Sequence, residues 1–366
     1  MIILYIVSFI LKLIINSNNT LIQNVCIFDE DGDFNKMMKM PEIKIVHDIR
    51  KPIIYLDTLV MIEFARLEKG ICSNEHRQDI EELYLVLKHL MNINKIICPV
   101  GNQLQEMGMT KSRQSAREFL QHYTNERLYF PETITNFELD NGFEAFLKKI
   151  DCIYFKTSDF FSKVDIACRR FKIYGDPFYN KDIIDVEKEI KYNIVRIINE
   201  RKSKGLIDKD FDSQLVDELN SDLQVLRYVI QNRNKSELEW RRFENILQPI
   251  YNRIHNEKGE SNESIDELLE SYIQFLQSDY HHKLPAVWIR SNLWASRMQR
   301  SNKICVGDNL DTKWAGTYLP ILDYAVTDNS FCDLLNTTGM AELYGTKVYS
   351  LKNVDVLLKE LKFLDV

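Results

Sequence analysis

Four acids recur at comparable places along this chain. Asp57 follows the apolar run Ile53-Ile54-Tyr55-Leu56, and Asp328 follows Tyr324-Ala325-Val326-Thr327. Glu106 lies about one helical turn beyond the segment Lys95–Pro99, and Asp311 opens a segment of helical character that carries the small residue Ala315 one turn later. Carboxylates gathered at one place repel one another and persist only if protonated or neutralised by cations. A ligand set of oxygen alone, without His or Cys, suits Mg²⁺ or Mn²⁺. Divalent ions held this way activate water and stabilise in-line displacement at phosphorus, so the implied chemistry is phosphodiester hydrolysis. Each acid also has a simpler role. Asp57 and Asp311 can each cap a helix through backbone N–H groups, Glu106 can be a solvated helix residue, and Asp328-Asn329 can be a turn. Their common order and placement favours the metal reading. Glu63, Asp308 and Asp323 are secondary candidates: Asp308 is close enough to Asp311 to replace it, and Asp323 suits a cap or a pair near a strand start.

These acids require a parallel sheet whose carboxyl edge gathers them. Short apolar runs such as Ile53–Leu56 are those of buried parallel strands. After Asp57, residues Val60, Met61, Phe64 and Ala65 recur at helical spacing, so the carboxylate sits where a strand gives way to a helix. Ligands bind at that edge in open α/β sheets. Glu75 to Met91 reads as an amphipathic helix, with Ile80, Leu83, Leu87 and Leu90 on one face. Lys95–Pro99 reads as a second strand stopped by its proline. Toward the C-terminus, Lys303–Asp308 is a short strand or an extended entry and Asp311–Leu322 a helix. Tyr324–Thr327 is a strand, Ser330–Leu335 starts a helix, Gly345–Leu351 is a strand and Val354–Phe363 a terminal helix. Strands alternating with helices imply a parallel sheet.

Between these halves strand signals are rare. Long charged segments dominate: Asp182–Lys202, Phe211–Asn232, Lys235–Asn256 and Ser264–Asp279. The expected organisation is an apolar and irregular segment over 1–45, the first half of an α/β domain over 46–130, a mostly helical insertion over 131–295, and the second half over 296–366. Residues 1–16 are strongly apolar but short for a membrane span. They fit a membrane anchor, a packing helix, or a stretch upstream of an internal start at Met37, Met38 or Met40. Without such an anchor the expected location is the cytoplasm.

Composition narrows the classes. Gly and Pro are scarce, 12 and 8 in 366 residues, which disfavours an all-β fold rich in tight turns. The formal net charge of −7 repels phosphate overall, so a nucleic-acid partner needs local basic patches. Seven cysteines without a C-x-x-C pair suggest free thiols rather than a disulfide framework or a zinc site. Cys98 and Cys305 lie in apolar runs and are expected in the core. Phosphate-loop, dinucleotide-binding and G-x-S-x-G patterns are absent from the sequence.

The stretches IIYLDTLVMIEFA, IICPVGNQLQE, DTKWAGTYLPILDYAVTDNSF and GTKVYSL resemble those of PIN-like domain nucleases. The resemblance covers roughly residues 50–125 and 300–366. It implies a PIN-like parallel sheet flanked by helices and interrupted by a large helical insertion, which compact PIN domains lack. It places the family's acids on Asp57, Glu106, Asp311 and Asp328. It also implies a Mg²⁺- or Mn²⁺-dependent endoribonuclease leaving 5′-phosphate and 3′-hydroxyl ends, of the toxin or defence-effector type, with an inhibitory or regulatory protein as a further partner.

Basic residues flank the acids in sequence: Lys111, Arg113 and Arg117 after Glu106, and Arg290, Arg297, Arg300 and Lys303 before Asp311. They are candidates to guide a nucleic-acid strand, with Trp288, Trp294 and Trp314 as stacking surfaces. Charged helix faces are more often simply solvated, and tryptophans more often core. His281-His282 lacks a third ligand at helical spacing and reads as a surface or helix-end pair. The rival functions are a catalytically silent PIN-like module that binds RNA or protein, a nuclease acting on DNA, and a phosphatase or phosphotransferase on another α/β fold, which Asp57-Thr58-Leu59 disfavours by lacking the second acid of a D-x-D arrangement.

Overall fold

The computed structural model describes residues 41–72, 75–108, 120–162, 210–231, 265–300 and 303–365, with a few further residues between 192 and 253. The expected helices over Asp182–Lys202 and Lys235–Asn256 lie largely outside the described residues, and residues 1–40 wholly so. The architecture is mixed α/β, with small parallel sheets flanked by helices. Among the described residues, no helix is long and apolar enough to cross a membrane.

The chain divides into two compact units. The helical unit contains Thr135–Tyr154 and Leu215–Trp288, with the described residues before Ile45. The sheet unit contains Ile45–Ile134, Phe155–Gln214 and Ile289–Val366, so the described residues 155–162 of the expected insertion belong to the sheet unit.

In chain order the strands are β1 (Glu42–Val46), β2 (Ile54–Leu56), β3 (Pro99–Val100), β4 (Glu126–Arg127), β5 (Cys152–Lys156), β6 (Tyr324–Thr327) and β7 (Lys347–Ser350). The main sheet has the order β2-β6-β7, all parallel, with Tyr55 level with Ala325 and Ala325 with Val348. β3 pairs in parallel with β4. A parallel bridge between Ile53 and Ile97 sets β3 beside β2, with Ile54 N–H donating to Ile97 O at 2.8 Å. The second strand therefore starts near the proline expected to stop it. Proline is tolerated as a first strand residue, where its missing N–H leaves no ladder bond unmade.

The helices that serve the sheet are α1 (Thr58–Glu68), α2 (Arg77–Asn92) and α3 (Gln103–Gly108). Helix α4 (Pro131–Lys148), α5 (Phe211–Leu219), α6 (Ser221–Gln231), α7 (Ile265–Leu276), α8 (Asp279–His282) and α9 (Pro285–Gln299) follow. The C-terminal part adds α10 (Val306–Tyr318), α11 (Asn329–Thr337), α12 (Met340–Tyr344) and α13 (Val354–Lys362). Side chains alternate along β2. Ile54 and Leu56 enter a core with Val60, Met61 and Phe64 of α1, Leu83 and Leu87 of α2, and Leu357 and Leu361 of α13. Tyr55 instead stacks on Trp314 of α10, ring centroids 4.6 Å apart, with Tyr318 beside it at 5.7 Å.

Helix α10 begins five residues before Asp311. Residues 303–305 form the extended entry, and Asp308 at the third helical position accepts the backbone N–H of Cys305. This reach-back satisfies a donor at the helix start. Cys305 is consequently exposed at the cap rather than packed in the core, whereas Cys98 is buried. All five described cysteines are free thiols.

The helical unit packs on aromatic side chains. In α7, Leu268, Leu269, Tyr272, Ile273, Phe275 and Leu276 are buried at the spacing of one helical face. Tyr272 meets Phe143 of α4 edge-on at 4.9 Å, and Phe146 meets Tyr280 at 5.7 Å. His281 is buried at 1 % exposure near Asp222 of α6, with Nε2 and Oδ2 3.4 Å apart. The His281-His282 pair thus ends a helix but does not form a surface site.

Candidate metal centre

The sheet brings Asp57, Glu106 and Asp311 together from three elements, with one carboxylate oxygen of each within 4.8 Å of the others. Asp57 stands between β2 and α1. Its backbone is extended, and its N–H donates to Val326 O at 2.9 Å, which carries the β2–β6 ladder one residue past the strand. Its side chain makes no capping bond to α1 and instead accepts the Thr327 hydroxyl at 2.8 Å. The simple capping role therefore does not describe Asp57. It does not describe Asp311 either, because Asp311 is the sixth residue of α10.

Glu106 is held by both oxygens. Asn102, one turn earlier, donates its amide to Oε1 at 2.7 Å, and Thr58 donates its hydroxyl to Oε2. The Asn102 amide also lies 3.4 Å from Leu310 O, the residue before Asp311. Gln103 ties the same turn to β2: its amide donates to Leu56 O at 2.7 Å, and its carbonyl accepts Gly101 N–H at 2.7 Å. Gly101 itself must lack a side chain, since a Cβ there would lie 2.6 Å from the Tyr318 hydroxyl. That hydroxyl is fixed by its bond to Tyr129 O at 2.8 Å.

The electrostatics are those of acids gathered close together. Among the described residues, no Lys or Arg pairs with any of the three acids. Burial raises Asp57 above the ordinary carboxylate range, with Asp328 adding to it and the Thr327 hydrogen bond opposing it. Burial, then the charge of Asp57, lifts Glu106 to about 7 against the Thr58 and Asn102 bonds. Burial, then the charges of Asp57 and Glu106, lifts Asp311 to about 9. Buried polar atoms normally find partners, and those that do not call for an explanation such as a water or an ion. Here Asn102 Oδ1, the Tyr55 hydroxyl and Trp314 Nε1 are buried with none among the described residues.

The other candidates are placed differently. Asp328 is the N-cap of α11, its Oδ1 accepting Ser330 N at 2.7 Å and Phe331 N at 3.1 Å, and it stands outside the trio while its charge still acts on Asp57 and Asp311. Asp308 is gripped by Arg297 in two bonds of 2.9 and 3.1 Å, so it does not stand in for Asp311. Asp323 accepts Ile53 N–H at 2.8 Å and fixes the start of β2. Glu63 is buried and faces Arg66 and Cys72.

Arg297 is not an open guide for a strand. It is 7 % exposed and also donates to Lys303 O at 2.6 Å. Arg300 pairs with Asp333 at 3.0 Å and with Thr337 at 2.9 Å. Lys111, Arg113 and Arg117 lie outside the described residues. Trp314 is fully buried in the wall of the site, and Trp288 and Trp294 are partly buried. Sequence reasoning passed over Tyr55, Asn102, Gln103 and Thr327. Asn102 alone carried a signal, an amide four residues before an acid at helical spacing. No family model, curated protein or solved structure matches the chain.

Proposed function

We propose that this chain is a metal-dependent phosphodiester hydrolase of the PIN-like type, acting on RNA. The observation that carries the reading is the convergence of Asp57, Glu106 and Asp311, from three separate elements, on one largely buried point without a counter-cation among the described residues. The donor set fits the group: three hard oxygen ligands suit Mg²⁺ or Mn²⁺. When bound, such an ion supplies Lewis acidity toward a phosphoryl oxygen and lowers the pKa of water.

The chain's own residues prepare the site. Thr327 fixes the rotamer of Asp57, while Asn102 and Thr58 fix Glu106 from its two sides. Asp311, lifted to about 9 by burial and by the charges of Asp57 and Glu106, favours its protonated form in the cation-free cluster. Tyr55, Trp314 and Tyr318 close the inner wall against bulk water. The choice of RNA over DNA rests on the family resemblance, since this carboxylate geometry serves either phosphodiester.

The test is cleavage of end-labelled single-stranded RNA and DNA with Mn²⁺, Mg²⁺ or EDTA, wild type beside Asp57→Ala and Asp311→Ala. Metal-dependent cutting of RNA, absent in both variants and in EDTA, is the expected result. Undiminished cutting by either folded variant removes the proposal. One observation favours a second reading, a silent binding module: Asp328 caps a helix and leaves three gathered acids instead of four. RNA bound but never cut, with Mn²⁺ bound by wild type, is the outcome that selects it.

A further inference from the structure

Tyr55 carries the least explained polar atom of the carboxylate centre. Tyr55 is 0 % exposed, and its hydroxyl meets no hydrogen-bond partner among the described residues. Leaving such a group buried and unpaired costs about 1–3 kcal/mol. A phenylalanine would give the same stack on Trp314 at no such cost. Among the described residues nothing meets the need of this hydroxyl.

Its position says what kind of partner would. Tyr55 precedes Asp57 by two residues on a strand, so both side chains leave the same face of the sheet. That face meets α10, where Trp314 lies under the Tyr55 ring, three residues after Asp311 and on the same side of the helix. The ionisable groups that act on the hydroxyl are Glu106 first, then Tyr318, then Asp57 and Asp311. Three of these are the acids of the cluster. Asn102, whose amide holds Glu106, presents a second buried oxygen without a partner. An amide oxygen and a phenol together can take the hydrogens of water that a cation carries into the site.

We propose that Tyr55 is a positioning residue of this centre, its hydroxyl being the inner hydrogen-bond partner of the hydration shell of a divalent cation held by Asp57, Glu106 and Asp311. The inference rests on the metal reading of that cluster and adds to it a neutral residue that sets how tightly the ion is held. Groups that contact a metal's ligands or waters from behind typically change affinity by about 10–100-fold when removed.

The experiment compares wild type with Tyr55→Phe, which removes one oxygen and keeps the ring stack. Two quantities are read: the melting temperature in EDTA, and Mn²⁺ affinity with its EPR line shape. The expected result is an unchanged or higher melting temperature without metal, an Mn²⁺ dissociation constant raised about tenfold, and an altered EPR spectrum. Equal Mn²⁺ affinity and spectrum in the two proteins overturns the role of Tyr55 while leaving the metal site standing. A lower melting temperature with unchanged Mn²⁺ affinity also overturns it, since the hydroxyl is then structural. If wild type binds no Mn²⁺, the metal reading fails and this inference fails with it.

Discussion

Asp57 is held in place by contacts that do not neutralise it. Among the described residues its one bond from a neighbouring side chain is a neutral hydroxyl, and the charge that acts on it is that of the acid Asp328. Such a residue destabilises the cation-free fold and stabilises the cation-bound one. The variant Asp57→Asn keeps an oxygen for Thr327 and removes one charge from the cluster. At pH 8 in EDTA it should melt higher than wild type: relief of about 1 kcal/mol corresponds to about 1–2 °C for a chain of 366 residues. Mn²⁺, which should raise the melting temperature of wild type by mass action, should leave this variant unmoved. Thermal unfolding with and without Mn²⁺ checks both halves, and a variant that melts lower in EDTA would show that the carboxylate pays its way without a metal. At this scale the sequence displayed the acids plainly, because an acid after an apolar run is a visible signal. The neutral residues that orient them, Thr327, Asn102 and Gln103, were hidden because polar residues beside a strand end are common and their burial depends on which segments meet.

At the scale of elements, what had to be known was where helices start and which side chains hold those starts. The main strands and the helices α1, α2, α11 and α13 fall close to where apolar spacing places them. Helix α10 does not: it starts at Val306 because Asp308 caps it, and Asp308 is fixed by Arg297 from α9. A capping acid and a metal-binding acid look alike in sequence, and only the position of Arg297 separates them. This contact has a measurable weight. Breaking a buried, hydrogen-bonded charge pair by removing one partner costs about 3–5 kcal/mol, whereas an exposed pair is worth about 0–1 kcal/mol. Arg297→Met should therefore lower urea stability toward the bottom of the first range, since Asp308 keeps some contact with water. Arg300→Met, which breaks a pair with the exposed Asp333, should fall within the second. Similar small losses in both would return Arg297 to the list of surface cations. Gly101→Ala is a second test of element placement. The new Cβ meets a Tyr318 hydroxyl that is already anchored, and overpacking of that kind costs about 1–3 kcal/mol. The loss should appear in the same urea titration.

At the scale of the whole molecule, buried ionisable groups outside the carboxylate centre set how stability follows pH. In the helical unit, Glu138 of α4 is fully buried, with one oxygen accepting Ala286 N–H at 2.8 Å at the start of α9 and the other without a partner. Burial lifts it to about 8, against an ordinary value of 4.5. From 4.5 upward the unfolded chain has released this proton and the folded one retains it. Folding stability therefore falls as pH rises toward about 8, by at most about 1.4 kcal/mol per unit. His282 pulls the other way. Burial, then the neighbouring His281, lowers it to about 4 from 6.5, so the unfolded chain gains a proton first and stability falls as pH drops below 6.5. The two slopes oppose each other between 4.5 and 6.5, which leaves the interval from 6.5 to 8 to show Glu138 without His282. Glu106 and Asp311 also titrate late, in the same direction as Glu138. A single curve cannot separate these acids, but the difference between wild type and Glu138→Gln can, because the amide keeps an oxygen for Ala286 N–H and leaves the carboxylate centre untouched. Urea unfolding at pH 6.5, 7, 7.5 and 8 should show the variant gaining on wild type as pH rises. A constant gap across that interval would mean that Glu138 is ionised in the folded protein, its charge met by water inside the helical unit.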